Sequence, residues 1–355
     1  MAGPLSGLRI LEVGGIGPGP FAGMLLADLG AEVIRVDRPG APADPGSHGV
    51  LMRGRRFMEL NLKEEGARAT VRELMATTDV LIEGFRPGVM ERLGLGPDEL
   101  LALNPRLVYG RMTGWGQDGP LARTAGHDIN YIALAGALEP LAGRDLTPTP
   151  PLNMLGDFGG GGMLLVCGVL SALWHVAITG EGQTVDASIV DGTSLLTAML
   201  HSMRASGEWS SPRGENLFDG GAPFYGVYET ADGGWLAVGA IEPQFYAQLL
   251  AGLELTEDPA LASQTNRSNW PAGRARVAAK ICERSRDDWM KVFDGTDACV
   301  SPVLKPGEAA AHPHLAARQT YVIEQGVLQP APAPRFSATP LAFPTSHRLE
   351  PEVQK

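Results

Sequence analysis

The residues best suited to chemistry stand at the two ends of one stretch, residues 126–162. It opens with Gly126-His127-Asp128-Ile129-Asn130-Tyr131 and closes with Gly156-Asp157-Phe158-Gly159-Gly160-Gly161-Gly162. An imidazole titrates near neutral pH, and burial tunes a carboxyl toward the same range. Such a pair can take a proton from one face of a carbon and return it to the other. Glycine beside each residue removes a side-chain obstacle and lets backbone amides approach a ligand. A plainer reading stands next to this one: Asp157 caps the apolar helix that follows, and His127 is a polar loop residue.

The elements that must position the pair come from the rest of the chain. Its 355 residues suggest two domains. Hydrophobic content of 44% and charged content of 19% describe a folded soluble protein. A net charge of −11 argues against a nucleic-acid partner, because no basic surplus exists to neutralise a phosphate backbone. Cys167, Cys282 and Cys299 are odd in number and far apart, which suggests a reducing compartment and no zinc knuckle. His312 and His314 lack a third ligand nearby and read as loop residues, so no metal site is expected. No charged-then-apolar leader signals secretion, and a cytoplasmic setting is expected.

Leu8–Val13 reads as a buried strand, residues 14–20 as its turn, Phe21–Leu29 as a helix ended by Gly30, and Ala31–Val36 as a second strand. This is the outline of a dinucleotide-binding unit, but Pro20 stands where the fingerprint needs its third glycine. Strands at Phe57–Leu62, Asp79–Glu83 and Leu107–Met112 alternate with helices at Lys63–Thr77 and Pro97–Leu103. That alternation predicts a parallel sheet with ligands at the carboxyl ends of its strands. Arg38, Arg53, Arg55, Arg56, Lys63 and Arg86 gather near those ends or just ahead of a strand. They suit a small polyphosphate, whose oxygens match arginine forks, or else form a solvated charged surface.

From Phe158 to Gly180 no Asp, Glu, Lys or Arg occurs, which meets the length rule for a membrane span. Four glycines in its first turn, no basic flanks and the bracketing Asp157 and Glu181 favour a core helix instead. Gln183–Ser188 then reads as a strand and Val190–Ala205 as one long helix. A hairpin at Phe224–Thr230 and Trp235–Ala240 opens a smaller unit with helices at Gln244–Ala251, stopped by Gly252, at Trp270–Glu283 and at Arg286–Phe293. A strand near Cys299–Leu304 completes it. The fold class is therefore α/β: a large Rossmann-like domain with a parallel sheet plus a smaller α+β domain. The large domain is expected over residues 1–189, completed by 333–355. Connectors follow at 190–223 and 312–332, on either side of the small domain at 224–311.

Two likenesses mislead. Asp157-Phe158-Gly159 spells the metal-binding triplet of protein kinases, but the catalytic-loop arginine and the Val-Ala-Ile-Lys strand are missing. No Gly-x-Ser-x-Gly elbow supports serine hydrolysis.

Over nearly its whole length the sequence resembles the α-methylacyl-CoA racemases of the family III CoA-transferase superfamily. The likeness rests on Pro18-Gly19-Pro20-Phe21, Val36-Asp37-Arg38-Pro39-Gly40, Phe85-Arg86-Pro87-Gly88-Val89 and Gly126 to Tyr131. It continues through Pro151-Leu152-Asn153, Asp157 to Gly161, residues 219–223, residues 238–246 and residues 295–300. The tail after Pro334 departs from it, without a peroxisomal Ser-Lys-Leu ending. The resemblance implies a coenzyme A site at Ile16, Arg38, Leu60, Asn61, Leu62, Lys63, Arg86 and the loop Gly126, Ile129, Asn130, Tyr131. It implies a 1,1-proton transfer at the carbon α to the thioester, with no metal or organic cofactor. His127 and Asp157 match the acid/base pair, and Glu242 matches the glutamate paired with the histidine. An interlocked homodimer is implied as well, with each site taking Glu242 from the other subunit.

Removing the α-proton makes an enolate, so an amide must face the thioester oxygen, and the backbone of Asp128 is the candidate. Unperturbed His sits near ~6.5 and Asp near ~3.9, so Asp157 must be raised or His127 lowered for the two to exchange roles. A glycine-rich floor and an apolar helix would desolvate Asp157 in that direction. In a CoA transferase of the same superfamily the aspartate at this position would instead attack the thioester. The intact Gly126 to Tyr131 stretch speaks for the racemase. A third reading is an acyl-CoA binding protein without turnover, for which loss of both His127 and Asp157 would leave binding intact.

Overall fold

The computed structural model describes residues 3–40, 49–143, 146–210 and 213–344, and the backbone of 347–348. The chain divides into two compact units: residues 1–137, 150–197 and 319–355 form the first, and residues 138–149 and 198–318 the second.

The first unit begins with β1 (Arg9–Val13), α1 (Pro18–Asp28), β2 (Glu32–Asp37) and β3 (Arg55–Glu59). α1 starts earlier than expected because Pro18 and Pro20 both fit a first turn, where the missing N–H groups have no intrahelical acceptor anyway. Gly30 closes it with φ +101, the amides of Gly30 and Ala31 bonding back to Ala27 and Leu26. Next come α2 (Glu65–Leu74), β4 (Val80–Glu83), α3 (Val89–Arg92), α4 (Pro97–Leu103), β5 (Val108–Thr113) and α5 (Asp128–Leu134). The single long apolar helix expected after residue 157 is a ten-residue π-helix, Met154–Met163, that runs into α6 (Leu164–Thr179). β6 (Gln183–Ser188) and α7 (Ile189–Leu196) follow.

All neighbouring strands pair in parallel, in the order β3-β2-β1-β4-β5-β6. Ile10, Val33, Val80 and Val108 face α1 and α6, whereas Leu11, Ile34, Leu81 and Tyr109 face the helices α2 to α4. Burial on both faces is why these strands read as continuous apolar runs. The order reverses at β1, between β2 and β4, so the turns after β1 and β4 flank a topological switch point. There the backbones nearly touch: a Cβ on Gly84 would stand 3.4 Å from the Gly15 Cα.

The helix expected over Val190–Ala205 breaks at Thr197, and α8 (Ala198–Ser206) belongs to the second unit. That unit holds a three-stranded antiparallel sheet of β7 (Tyr225–Glu229), β8 (Trp235–Gly239) and β9 (Val300–Pro302). α9 (Pro243–Gly252), α10 (Trp270–Ile281) and α11 (Arg286–Phe293) cover it around Trp270, Trp289 and Phe293. Gly252 does not stop α9 by a left-handed turn; it is helical, and Phe293 fills the space a Cβ would need. Two short helices, α12 (Pro306–Ala309) and α13 (Pro313–Ala317), end the unit.

Back in the first unit, the segment expected as a connector forms an antiparallel hairpin, β10 (Tyr321–Glu324) and β11 (Val327–Pro330). Gln325 and Gly326, both at positive φ, make its two-residue turn, which the Gln-Gly pair signals only weakly. β12 (His347–Arg348) adds a seventh parallel strand beside β3.

The span Met154–Thr179 is long and apolar enough to cross a membrane by length and composition. One side of α6 packs on the sheet through Leu165, Val169 and Ala172, while Trp174 is 69% and Ile178 66% exposed. It is a core helix on one side only.

Backbone contact fixes where the π-helix sits. Gly192 of α7 lies so close to the Gly160 carbonyl that a methyl group would overlap it, and a Cβ on Gly162 would press on Phe21 and the Pro18 carbonyl. Gly192→Ala should therefore lose about 3 kcal/mol in urea unfolding. Gly66→Ala, in an exposed turn of α2 with nothing within 4 Å, should gain roughly 0.5–1 kcal/mol. Equal effects of the two would show that the close approach is not what holds the π-helix.

Candidate active site

Every strand of the large sheet ends on one edge, and the expected binding residues lie in the turns along it. Arg38 follows β2, Leu60 to Lys63 follow β3, and Arg86 follows β4. Arg38, Lys63 and Arg86 are exposed and make no ion pair among the described residues. Ile16, in the turn after β1, is 75% exposed.

The rest of the expected basic cluster is structural. Arg55 is fully buried against Glu12 and the carbonyls of Leu51 and Pro20. Arg53 pairs with Asp28 at 2.5 Å and donates to Gln329 and Pro330 of the hairpin. Arg56 pairs with Glu32. These three are paired within the fold, which leaves Arg38, Lys63 and Arg86 as the exposed cations of the cluster without an ion pair among the described residues.

The turns are themselves anchored. Arg35, on β2, donates to the carbonyls of Gly14 and Gly15 at 3.1 and 3.0 Å and to both oxygens of Asp37, and it pairs with Glu12. On the other side of the switch point, Glu83 accepts from the Phe85 amide at 2.7 Å and from Arg111 at 3.0 Å. Arg111 continues to Glu91 at 2.8 Å, so a chain of charges braces the turn that carries Arg86.

Asp157 lies in the π-helix, where the Phe158 amide reaches back five residues to the Asn153 carbonyl. Its Oδ2 would be 2.8 Å from a Cβ on Gly17, so the carboxyl overhangs the turn after β1. Phe158 stacks on Phe21 with ring centroids 4.4 Å apart. Leu152, left-handed at φ 58 and exposed, leads into this segment. Burial and the nearby Asp128 carboxylate push the Asp157 carboxyl up to about 6, partly offset by a hydrogen bond with Asn153 and by the charge of His127. Asn153 and Gly17 also border the Asp157 carboxyl, and neither is marked for that place by residue type or spacing.

His127 is the exposed residue just before α5, its amide donating to Asn130 Oδ1 at 3.0 Å. The amides of Asp128 and Ile129 begin that helix and find no backbone acceptor among the described residues, as expected for first-turn donors. Asp128 turns its side chain inward: 7% exposed, it accepts the Asp157 amide at 2.6 Å. Tyr131 packs edge-on against Trp115, over Gly114 and Gly126. Burial and Asp157 push its phenol up, with Arg86 acting the other way. His127, Asp128, Asp157, Tyr131 and Arg86 are thus brought together. Beside them an open apolar hollow of about 530 Å³ runs between Trp115, Leu121 and the outer side of α5 at Ala133 and Leu134.

The glycine run beneath Asp157 is a packing device more than a ligand cradle. Gly160, Gly161 and Gly162 are buried against α7 and α1, filled by Thr193, Ile189, Pro18 and Phe21.

Residues 5–352 match the CoA-transferase family III. The chain belongs to that family. It is 47% identical to mouse alpha-methylacyl-CoA racemase over 350 residues, covering 98% of this chain and 90% of the mouse protein. It is 46% identical to the human alpha-methylacyl-CoA racemase, covering 97% and 89%. A solved structure of a CAIB/BAIF family protein from Brucella suis superposes with a TM-score of 0.84 at 28% identity, over 97% of this chain and 96% of that one.

Glu242 lies in the second unit of this family III chain, exposed just ahead of Pro243 and α9, where its charge reaches Cys299. Met203 and Phe224 are buried core, whereas Met154, Met163 and Met199 are exposed.

The raised Asp157 carboxyl has a consequence for stability. Because its folded value lies above the unfolded one, the folded chain holds an extra proton between about pH 4 and pH 6. Stability falls as pH rises through that window, and the whole cost of ionising Asp157 is present above it. Asp157→Asn should thus raise stability by up to about 2 kcal/mol at neutral pH, with the gain vanishing toward about pH 4. Thermal melts of both proteins across that range measure it; a gain that is constant with pH would mean the buried charge is not its source.

Proposed function

We propose that this chain is a racemase that interconverts (R)- and (S)-2-methylacyl-CoA thioesters by 1,1-proton transfer through an enolate. The observation that carries the reading is the pair of relatives at 46–47% identity over nearly the full chain, both named alpha-methylacyl-CoA racemase. The geometry supports it: an imidazole and a buried carboxyl raised to about 6 come together above the switch point, as the two bases of a proton transfer must. In this reading His127 and Asp157 stand on opposite faces of the α-carbon. The Asp128 amide, an open donor at the start of α5, meets the thioester oxygen as charge develops. Arg38, Lys63 and Arg86 meet the phosphates of coenzyme A, near Ile16, Leu60, Asn61, Leu62, Gly126, Ile129, Asn130 and Tyr131. The reaction needs no cofactor: proton transfer α to a thioester changes no oxidation state. Three free cysteines and the net charge fit a cytoplasmic setting without nucleic acid or membrane as partner.

Incubating one 2-methylacyl-CoA enantiomer in deuterium oxide, with no acceptor acid, should give α-deuteration together with racemisation. Arg38→Ala and Arg86→Ala should do the same at a raised KM, each lost contact costing ~1.5–3 kcal/mol. Transfer of the thioester to an added carboxylate, with no label at the α-carbon, would make Asp157 a nucleophile and the chain a transferase.

We infer further that the active form is an interlocked homodimer. The exposed apolar residues Trp174, Ile178, Leu195 and Leu196 are surface that a second copy would cover. Glu242 of one chain would then hold the His127 ring of the other and stabilise its charged form. Glu242→Gln and the double variant His127→Ala/Asp157→Asn should each be strongly impaired. Refolded together they should regain activity through one intact site per mixed dimer. Mixed dimers that stay inactive, while wild type mixed with the double variant works, would place Glu242 within its own site.

A further inference from the structure

Asp128 is used in the proposed chemistry only through its backbone, yet its side chain is the more unusual group. The carboxylate is 7% exposed, and Oδ2 accepts the Asp157 amide at 2.6 Å. Oδ1 is buried and has no hydrogen-bond partner. A carboxylate left half-satisfied away from water is costly, and no arginine or lysine pairs with this one among the described residues. The chain also makes room for it. A Cβ on Gly156 would come within 2.5 Å of Oδ2 and 2.9 Å of the Ile132 side chain, so only glycine at 156 lets the π-helix approach this anion.

We propose that the Asp128 side chain is a positioning residue: a buried carboxyl group that holds the backbone of Asp157 and sets the pH at which the Asp157 carboxyl gives up its proton. This rests on the two-base reading and says how one base is tuned. The groups around Asp157 are few. α5 presents Asp128, His127 and Tyr131, and the π-helix itself presents Asn153. Arg86, after β4, acts on Tyr131. α1 and its preceding turn offer Gly17, Pro18 and Phe21, and α7 offers Gly192 and Thr193, none of them charged. Asp128 is therefore the one negative charge that faces Asp157 among the described residues, and His127 the positive one. Like charge beside a carboxyl favours its protonated form. Only a protonated Asp157 can return a proton to the enolate, and a raised carboxyl keeps a larger protonated fraction near neutral pH than one of ordinary acidity.

The test reads Asp157 directly. Its carboxyl carbon, ¹³C-labelled in all aspartates and assigned by loss of the signal in Asp157→Asn, is titrated in wild type and in Asp128→Asn. The asparagine keeps an acceptor for the Asp157 amide and removes the charge. Asp128→Ser serves the same purpose should the asparagine variant not fold. Asp157 should titrate at least about half a pH unit lower in the variant. The Asp157-governed limb of the α-deuteration rate should move to lower pH by the same amount, for both enantiomers. An unchanged Asp157 titration, with or without a loss of rate, would reduce Asp128 to a structural cap and overturn the proposal. A wild type that exchanges no α-proton at any pH would sink the racemase reading instead, and the titration would still decide whether Asp128 controls Asp157.

Discussion

The structure depends on one close approach, backbone against backbone, between the π-helix and its two neighbours. Gly160 meets Gly192 of α7, and Gly162 meets Pro18 of α1, at separations that exclude any side chain. An α-helix with ordinary residues would stand off by the width of a methyl group and carry Asp157 away from Gly17. The wider π turn and the four glycines together let the segment sink onto the sheet edge. Glycine costs a helix ~1 kcal/mol per position, so a run of four is stable only because packing offsets it. The same descent removes Asp157 from water, and desolvation is the largest influence on its carboxyl. Packing and acidity here share one cause.

A second constraint holds the turns along the carboxyl edge of the sheet. Glu12 lies between Arg35 and Arg55 on three adjacent strands, and Glu83 lies beside Arg111, all of them buried. Taking these charges out of water costs several kcal/mol per ion, so their attraction adds little net stability. Their geometry does something else. Arg35 is spent on the carbonyls of Gly14 and Gly15, and Glu83 on the Phe85 amide, so each ion pair ends on a turn backbone. Buried ion pairs of this kind fix conformation, and the loops they fix are the ones bearing Ile16 and Arg86.

This explains what could and could not be read from the sequence. The strands were legible because two-sided burial makes continuous apolar runs, and the glycine-flanked His127 and Asp157 were legible by type. The arginines were not separable. Arg38, Arg53, Arg55 and Arg56 look alike in a sequence, and only the partners Asp28, Glu12 and Glu32, ~20–45 residues away, divide paired arginines, two buried and one at the surface, from the unpaired Arg38. The π-helix escaped notice because its pattern of glycines reads equally as a ligand loop. The β10–β11 hairpin was missed because Gln325-Gly326 is a weak turn signal, and the Arg53 bond to Gln329 is long-range.

The helix α6 shows the limit of apolar pattern as a guide. A run apolar all round fits a core, a membrane or a partner equally well. In this chain Leu165, Val169 and Ala172 satisfy the sheet, and Trp174 and Ile178 are left in water. The composition is thus explained only in part by the fold of a single chain. The charged residues divide in the same way: Glu12, Glu83 and Asp128 are explained by what they hold inside the first unit, whereas exposed Glu242 holds nothing among the described residues of its own. An apolar face without a cover and a carboxylate without a partner are the same kind of remainder. The interlocked dimer proposed above would cover the one and give the other a partner.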